Sequence, residues 1–168
     1  CKSDSNLHDV VLLALLTGAR RGEICGSRWR DVDLKNRTVT FVQTKNGEIR
    51  KVPLSDPAIA LLRCRFSHRV KGMNDWVFPA EKSDGPVDVS HRFGRYAKKA
   101  GLEDFRFHDL RHSAASAMAR AGVPERQMQE VLGHKSVEMT KRYTHLRPSE
   151  LDGAVAAMGT SIKNQGEE

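Results

Sequence analysis

A run of helical periodicity towards the end of the chain constrains the fold more than any other feature. Apolar residues recur there at spacings of three and four, which predicts a helix from Phe107 to Ala121 with one buried stripe. The stripe consists of Phe107, Leu110, Ala114, Ala117, Met118 and Ala121. Gly122 is typical of a helix end, and Pro124 of an early position in a second helix, which ends at Gly133.

Four side chains of this region form a set suited to attack on a phosphodiester: His108, Arg111, His134 and Tyr143. His108 and Arg111 are three residues apart and border the buried stripe, so packing can fix both. His134 follows a helix end and is expected in a turn, with Tyr143 near the end of a short helix. A phenol with a pKa of about 10 is a poor nucleophile unless its surroundings take its proton. An arginine can bind the developing phosphate charge through two parallel hydrogen bonds.

The order of three short motifs resembles the C-terminal signature of the tyrosine recombinases, the lambda-integrase-like phage integrases and site-specific recombinases. The motifs are H-D-L-R-H, L-G-H and R-Y-T-H, with nine residues from His134 to Tyr143. The resemblance runs from about Leu7 to Leu146. It implies a mixed, mainly α catalytic domain with a small three-stranded antiparallel β-sheet at one edge. It also implies that Arg111 and a second arginine hold the scissile phosphate of DNA, with His134 as a third donor, while Tyr143 forms a 3′-phosphotyrosyl link.

The first part of the chain contains a candidate for the second arginine. A helix from Ser5 to Leu16 is apolar on both sides and is expected to be deeply buried. The following T-G-A-R-R-G-E resembles the first-arginine motif of the family and implies that Arg20 is the second phosphate clamp, with Arg21 as the rival. Glu23 has a supporting role as an acceptor, or is an ordinary first-turn carboxylate favoured by the helix dipole.

A hairpin is predicted next. Alternating β-branched and aromatic residues fill Arg37 to Thr44, and Glu48 to Leu54 pairs with them across an Asn-Gly turn. With Asp31 to Leu34, these segments predict a three-stranded antiparallel sheet. Lys45 projects from the hairpin tip, where the resemblance implies the catalytic lysine; Lys51 is the less favoured substitute. A lysine at such a tip is otherwise simply solvated.

The resemblance assigns the remaining steps of a metal-free reaction. Lys45 protonates the departing 5′-hydroxyl, and His108 aids proton transfer from the tyrosine or orients the phosphate. A second 5′-hydroxyl then rejoins the strand, so neither metal nor nucleotide is required. His108 and His112 are also spaced like part of a zinc helix, but no third ligand follows and Arg111 would repel the metal. A type IB topoisomerase and a non-catalytic DNA-binding module remain the alternatives.

A basic stripe lies on the helix predicted from Val89 to Ala100. Its members are Arg92, Arg95 and Lys99, and such a stripe is often only a solvated surface. Next to a phosphate-handling site, contact with the DNA backbone is favoured.

Composition supports this interpretation without requiring it. The 168 residues are 39% hydrophobic and 29% charged, which suits one globular domain, and a formal charge of +7 favours a nucleic-acid partner or simply a basic surface. Cys1, Cys25 and Cys64 form neither a disulfide framework nor a metal box, which fits a reducing cytoplasm. The longest apolar run, Val10 to Leu16, is too short to cross a bilayer. We therefore expect a cytoplasmic protein, and the resemblance implies that a prokaryote or a phage encodes it.

The expected organisation has two parts. Residues 1–146 form the catalytic domain, and residues 147–168 form a C-terminal helix and flexible tail that packs in cis or against a neighbouring subunit. The resemblance implies an upstream core-binding domain absent from this chain, double-stranded DNA as the partner, and a homotetramer on that DNA.

Overall fold

The described elements of the protein are mainly helical. A computed structural model describes residues 5–42, 49–69 and 75–146. Its α-helices are α1 (Ser5–Thr17), α2 (Arg21–Cys25), α3 (Asp56–Ser67), α4 (Ser90–Lys99), α5 (Phe107–Arg120), α6 (Glu125–Leu132) and α7 (Glu138–Lys141). Its strands are β1 (Val32–Asp33), β2 (Thr38–Val42) and β3 (Ile49–Pro53), and 3₁₀ turns occupy Trp29–Asp31 and Thr144–Leu146. Within the described ranges, no helix is long and apolar enough to span a bilayer.

The strands form one antiparallel sheet in the order β1-β2-β3. Val39 of β2 lies opposite Val32 on one side and Val52 on the other, and both Val39 and Val52 are buried. Alternate residues of a strand face opposite sides of the sheet, so one face packs on the core. The sheet and the mainly α fold class confirm the prediction.

Helix α1 is less deeply buried than its apolar sequence predicts. Leu7, Val10, Leu13 and Ala14 are buried, and the helix contacts α5, α2 and α3. Leu15, however, is 40% exposed. The prediction of deep burial is therefore wrong for that side, because the packed neighbours leave one face of α1 open. Each fully buried aliphatic side chain contributes about 1.5–3 kcal/mol of transfer free energy, so the buried side anchors the helix.

Most buried apolar residues of the described ranges fall into two clusters. The larger includes the sheet, α1 to α4 and Leu110 of α5. The smaller lies between α5, α6 and the segment after α7, and it contains Ala115, Ala119, Met128, Leu132 and Tyr143. The ring of Tyr143 is therefore a packed member of the core, which restricts where its hydroxyl can point.

Two glycines permit close approaches on which the site depends. Gly18 has φ +63°, and a Cβ there would lie 2.5 Å from Cδ2 of Leu132. Gly133 also has φ +63°, ends α6 in the left-handed conformation, and leaves space for Arg50, whose Cδ would lie 2.9 Å from an added Cβ. Only glycine adopts this conformation without strain. The end of α1, the end of α6 and β3 therefore meet.

Candidate active site

Arg111 lies on α5 with 4% of its surface exposed. Its Nη1 donates a 2.8 Å hydrogen bond to the carbonyl of Gly18, while its buried Nη2 has no partner among the residues that the structure describes. Burial, followed by the charges of Arg20 and Arg50, lowers the pKa of Arg111 to about 10, so the side chain stays protonated at neutral pH. A buried donor without an acceptor costs free energy. The site is therefore arranged to receive an acceptor, and its charge favours an anion.

Arg20 precedes α2 and is held by Glu23. The backbone N–H of Arg20 donates to Oε2 of Glu23 at 2.7 Å, and Nη1 donates to Oε1 at 3.2 Å. Nη2 lies 3.4 Å from the carbonyl of Gly133. Arg21 is exposed and donates instead to Ser90 at the start of α4. Of the two adjacent arginines, the structure thus brings Arg20 to the region of Arg111, and Glu23 orients it.

Arg50 completes a buried ion-pair network. Its Nη2 donates to Oε2 of Glu23 at 2.6 Å, and its Nη1 donates to the carbonyl of Val131 on α6. The side chains of Arg50 and Glu23 are only 11% and 5% exposed. Burial lowers the pKa of Arg50, and the charge of Glu23 opposes this effect. Both carboxylate oxygens of Glu23 are thus occupied, and the residue joins β3 to α2.

His134 occupies the turn between α6 and α7, as expected. Its Nδ1 lies 2.8 Å from Oγ1 of Thr140, and both residues are buried. Burial and the charges of nearby arginines, Arg111 first and then Arg20, lower the pKa of His134 to about 4. The imidazole is therefore neutral at pH 7, and as a neutral ring it can still donate one N–H hydrogen bond.

Tyr143 presents its hydroxyl to α5. The residue is 7% exposed, and its oxygen forms a hydrogen bond with Nδ1 of His112. The two ring centroids are 6.2 Å apart. Burial raises the pKa of Tyr143, while the charges of Arg142 and Arg111 oppose the shift. The phenol is therefore protonated at neutral pH, and its use as a nucleophile requires a group that accepts the proton.

His108 lies one helical turn before His112 and is exposed. The two imidazole rings meet edge to face, with centroids 5.0 Å apart and an interplanar angle of 86°. Burial and the neighbouring charges of His112, Arg111 and Arg20 lower the pKa of His108. His108 is thus close to the two arginines, but His112 rather than His108 contacts the tyrosine hydroxyl.

Of the remaining predicted site residues, the structure describes the three basic residues of α4 but not the lysine of the hairpin tip. Lys45 lies outside the described residues. Arg92, Arg95 and Lys99 share α4, which packs against α5. Arg92 lies 3.9 Å from a carboxylate oxygen of Glu81, and the charged ends of Arg95 and Lys99 lie 5.6 and 5.9 Å from the ring centre of Tyr96.

Two residues of this site, His112 and Arg50, were not singled out from the sequence as functional. The sequence indicates His112 only as half of a zinc pair, although its position four residues after His108 places it on the same side of α5 as His108. Arg50 is two residues before the buried Val52, so both side chains face the same side of β3. An arginine on the core side of a strand is unusual, and this position could have indicated from the sequence that Arg50 has a buried partner.

The pKa shifts of the histidines indicate that the arginine charges converge. Both Arg20 and Arg111 lower the pKa of His108 and of His134. A neutral imidazole, two guanidiniums and a phenol thus occupy one region of a mainly helical domain. This fold and this site define a class of protein: a mainly helical domain with buried arginine donors, a neutral imidazole and a tyrosine hydroxyl, features suited to binding a phosphate group.

Comparison with known proteins identifies the family. Residues 2–150 match the Phage integrase family. The integrase of Salmonella phage P22 is 37% identical in an alignment 178 residues long, which covers 94% of this chain and 45% of that protein. The catalytic domain of bacteriophage HP1 integrase is similar with a TM-score of 0.69 and 29% identity, covering 91% of this chain and 84% of that one. The chain belongs to the phage integrase family, which confirms the resemblance, and it spans less than half the length of the P22 protein.

Proposed function

We propose that this chain is the catalytic domain of a site-specific DNA recombinase that cuts and rejoins strands through a tyrosine. The observation that carries the proposal is the buried Nη2 of Arg111, which finds no hydrogen-bond partner within the described ranges and lies on the same helix as His112, the partner of the Tyr143 hydroxyl. A phosphodiester supplies the anionic acceptor that this donor lacks. The sequence similarity to the integrase of phage P22 supports the same conclusion.

Three groups bind the scissile phosphate in this mechanism. Arg20 and Arg111 donate to its non-bridging oxygens, and fixed guanidiniums stabilise the charge that develops there during attack. His134, neutral because its pKa is about 4, contributes a third N–H donor without adding charge. Glu23 holds Arg20 in the orientation that this binding requires.

Strand cleavage then follows by in-line displacement. The Tyr143 oxygen bonds to phosphorus, the bond from phosphorus to the 5′-oxygen breaks, and Lys45 protonates the departing 5′-hydroxyl. A 3′-phosphotyrosyl link retains the bond energy, so a second 5′-hydroxyl can rejoin the strand. No metal or nucleotide takes part in any of these steps.

Double-stranded DNA is the partner in this proposal. Arg92, Arg95 and Lys99 of α4 contact its backbone and supply part of the salt-dependent affinity. Residues 1–146 act as the catalytic domain of a homotetramer on DNA. Residues 147–168, which lie outside the described residues, contact a neighbouring subunit or pack in cis. A core-binding domain upstream of the catalytic domain is part of this proposal; the chain covers 45% of the P22 integrase, which leaves room in that relative for a further domain. The site of action is the cytoplasm of a prokaryotic or phage-infected cell.

A covalent-capture experiment tests the proposal. The chain is incubated with a pool of nicked suicide duplexes carrying a randomised central segment, so that the short strand diffuses away after cleavage and the adduct persists. Protein–DNA adducts that survive denaturant are isolated, amplified and sequenced. Tyr143→Phe is the test variant, and Tyr96→Phe is the matched control because the chain has two tyrosines.

We expect adducts from the wild type and Tyr96→Phe, enriched in one sequence, and none from Tyr143→Phe. A non-catalytic binding module would retard DNA with no adduct. A topoisomerase of type IB would form adducts with little enrichment and relax supercoiled plasmids of any sequence.

A further inference from the structure

The hydroxyl of Tyr143 has a defined partner whose role the steps above do not use. Nδ1 of His112 forms a hydrogen bond with the phenolic oxygen. The tyrosine ring is packed in the smaller apolar cluster with Met128 and Leu132, so the hydroxyl is held at this position from the other side. A nucleophile fixed against an imidazole nitrogen has the geometry of an activated nucleophile and its base.

We propose that His112 is the general base of strand cleavage. Its Nδ1 takes the phenolic proton as the Tyr143 oxygen bonds to phosphorus, and it returns that proton to the tyrosine oxygen during rejoining. The proton balance is complete, since one proton moves from Tyr143 to His112 while another moves from Lys45 to the departing 5′-oxygen. The inference rests on the proposed function and adds to it a catalytic residue and a tautomer: His112 carries its resting proton on Nε2.

The other two histidines of the site are less well placed for this step. Nδ1 of His134 is engaged by Thr140. His108 reaches the nucleophile only through His112, whose ring it contacts edge to face at 5.0 Å. Burial raises the pKa of Tyr143, which increases the need for a base in direct contact with its hydroxyl.

The variant that separates a base from a structural contact is His112→Asn. The amide oxygen of asparagine lies close to the position of a histidine Nδ1, so it can accept the tyrosine hydrogen bond, but it cannot take the proton. We expect adduct formation with the enriched duplex to slow by about 10²–10⁴-fold, the usual contribution of a general base. A side chain that only positions the hydroxyl would be replaced by asparagine with little loss.

Fluorination of the nucleophile supplies a readout that a structural role would not move. In a Tyr96→Phe background, growth on 3-fluorotyrosine labels Tyr143 alone, since the chain has two tyrosines. The fluorinated phenol is more acidic and depends less on a base. We expect fluorination to change the wild-type rate of adduct formation little. In His112→Asn, fluorination should raise that rate about tenfold. For each variant, the readout is the rate with fluorotyrosine divided by the rate with tyrosine. This ratio does not depend on how much of the variant is folded.

Each outcome decides the matter. A slow His112→Asn variant that fluorination accelerates supports the base. A variant as fast as the wild type, or a slow one that fluorination leaves unchanged, overturns it while leaving the tyrosine mechanism intact. Absence of any adduct from the wild type overturns the proposed function itself, and the base with it.

Discussion

Nη2 of Arg50 lies 2.6 Å from Oε2 of Glu23, with both side chains almost fully buried, so a salt bridge joins β3 to the start of α2. The same carboxylate binds the backbone and guanidinium of Arg20. The second terminal nitrogen of the Arg50 guanidinium, Nη1, donates to the carbonyl of Val131, close to the turn that contains His134. One buried network thus fixes two of the groups that we propose to bind phosphate.

Removal of Arg50 should therefore affect stability and activity together. Arg50→Met leaves Glu23 partly unpaired in a buried setting, which costs about 3–5 kcal/mol of unfolding free energy, measured by urea denaturation. Adduct formation by the remaining folded protein should also slow. Without Arg50, the Glu23 carboxylate that accepts the hydrogen bonds of Arg20 is no longer held in place. The matched control is Arg126→Met, whose ion pair with Glu130 is exposed at 90% and 67%, and it should cost about 0.5 kcal/mol or less. Equal effects of the two variants would contradict the network.

Gly18→Ala should be strongly destabilising. The new Cβ would meet Leu132 at 2.5 Å in a backbone conformation that alanine adopts only with strain, and we expect a loss of about 2 kcal/mol or more. Because the carbonyl of Gly18 holds Arg111, DNA cleavage should fall as well. Gly94→Ala is the control, since an added Cβ there meets nothing within 4 Å inside α4, and it should raise stability by up to about 1 kcal/mol. A Gly18→Ala protein as stable as the wild type would show that α1 and α6 do not approach as described.

His134 should stay neutral far below the usual range of an imidazole. Its pKa of about 4, against 6.5 in the unfolded chain, means that the unfolded state binds more protons between these values. Unfolding free energy should therefore fall as pH drops from 6.5 to 4, by at most about 3 kcal/mol from this residue. NMR titration of the imidazole measures the pKa, and the pH dependence should be smaller in His134→Gln. A titration midpoint near 6.5 would contradict the burial of this ring among arginines.

The basic stripe of α4 should be visible in the salt dependence of DNA binding. Each phosphate contact that is removed lowers the slope of log K against log salt by about 0.9 for duplex DNA. Arg95→Ala and Lys99→Ala should each show this change. Lys35→Ala, an exposed cation in the turn between β1 and β2 and outside α4, is the control. If all three variants kept the wild-type slope of log K against log salt, the stripe would be only a solvated surface.

Sequence reasoning succeeded where the determinants are local. The Asn-Gly turn between alternating segments predicted the sheet, and the apolar stripe after Phe107 predicted α5 to within one residue. The short motifs around Arg111, His134 and Tyr143 were sufficient to indicate the family, because their chemistry and order are specific. Helix α1 was harder, since the exposure of Leu15 depends on how many neighbours cover the helix.

The residues that were missed depend on contacts between distant parts of the chain. His112 acquires its partner only when the segment after α7 folds back onto α5, 31 residues earlier. Arg50 meets Val131 across 81 residues, and Arg111 meets Gly18 across 93. A single sequence carries the residue types but not these distances. Only the family resemblance favoured Arg20 over Arg21, and the sequence could not show that Arg20 contacts Glu23 while Arg21 contacts Ser90.

The central claim, that Tyr143 becomes joined to a DNA 3′-phosphate without a metal, is tested most directly by locating the attachment. Covalent complexes formed in the presence of a metal chelator are digested with nuclease and protease, and the modified peptide is sequenced by mass spectrometry. The account predicts a nucleotide linked through its 3′-phosphate to Tyr143 in the wild type, unchanged by the chelator. A nucleotide on Tyr96 or on a serine, a link through a 5′-phosphate, or an adduct that the chelator abolishes would contradict it.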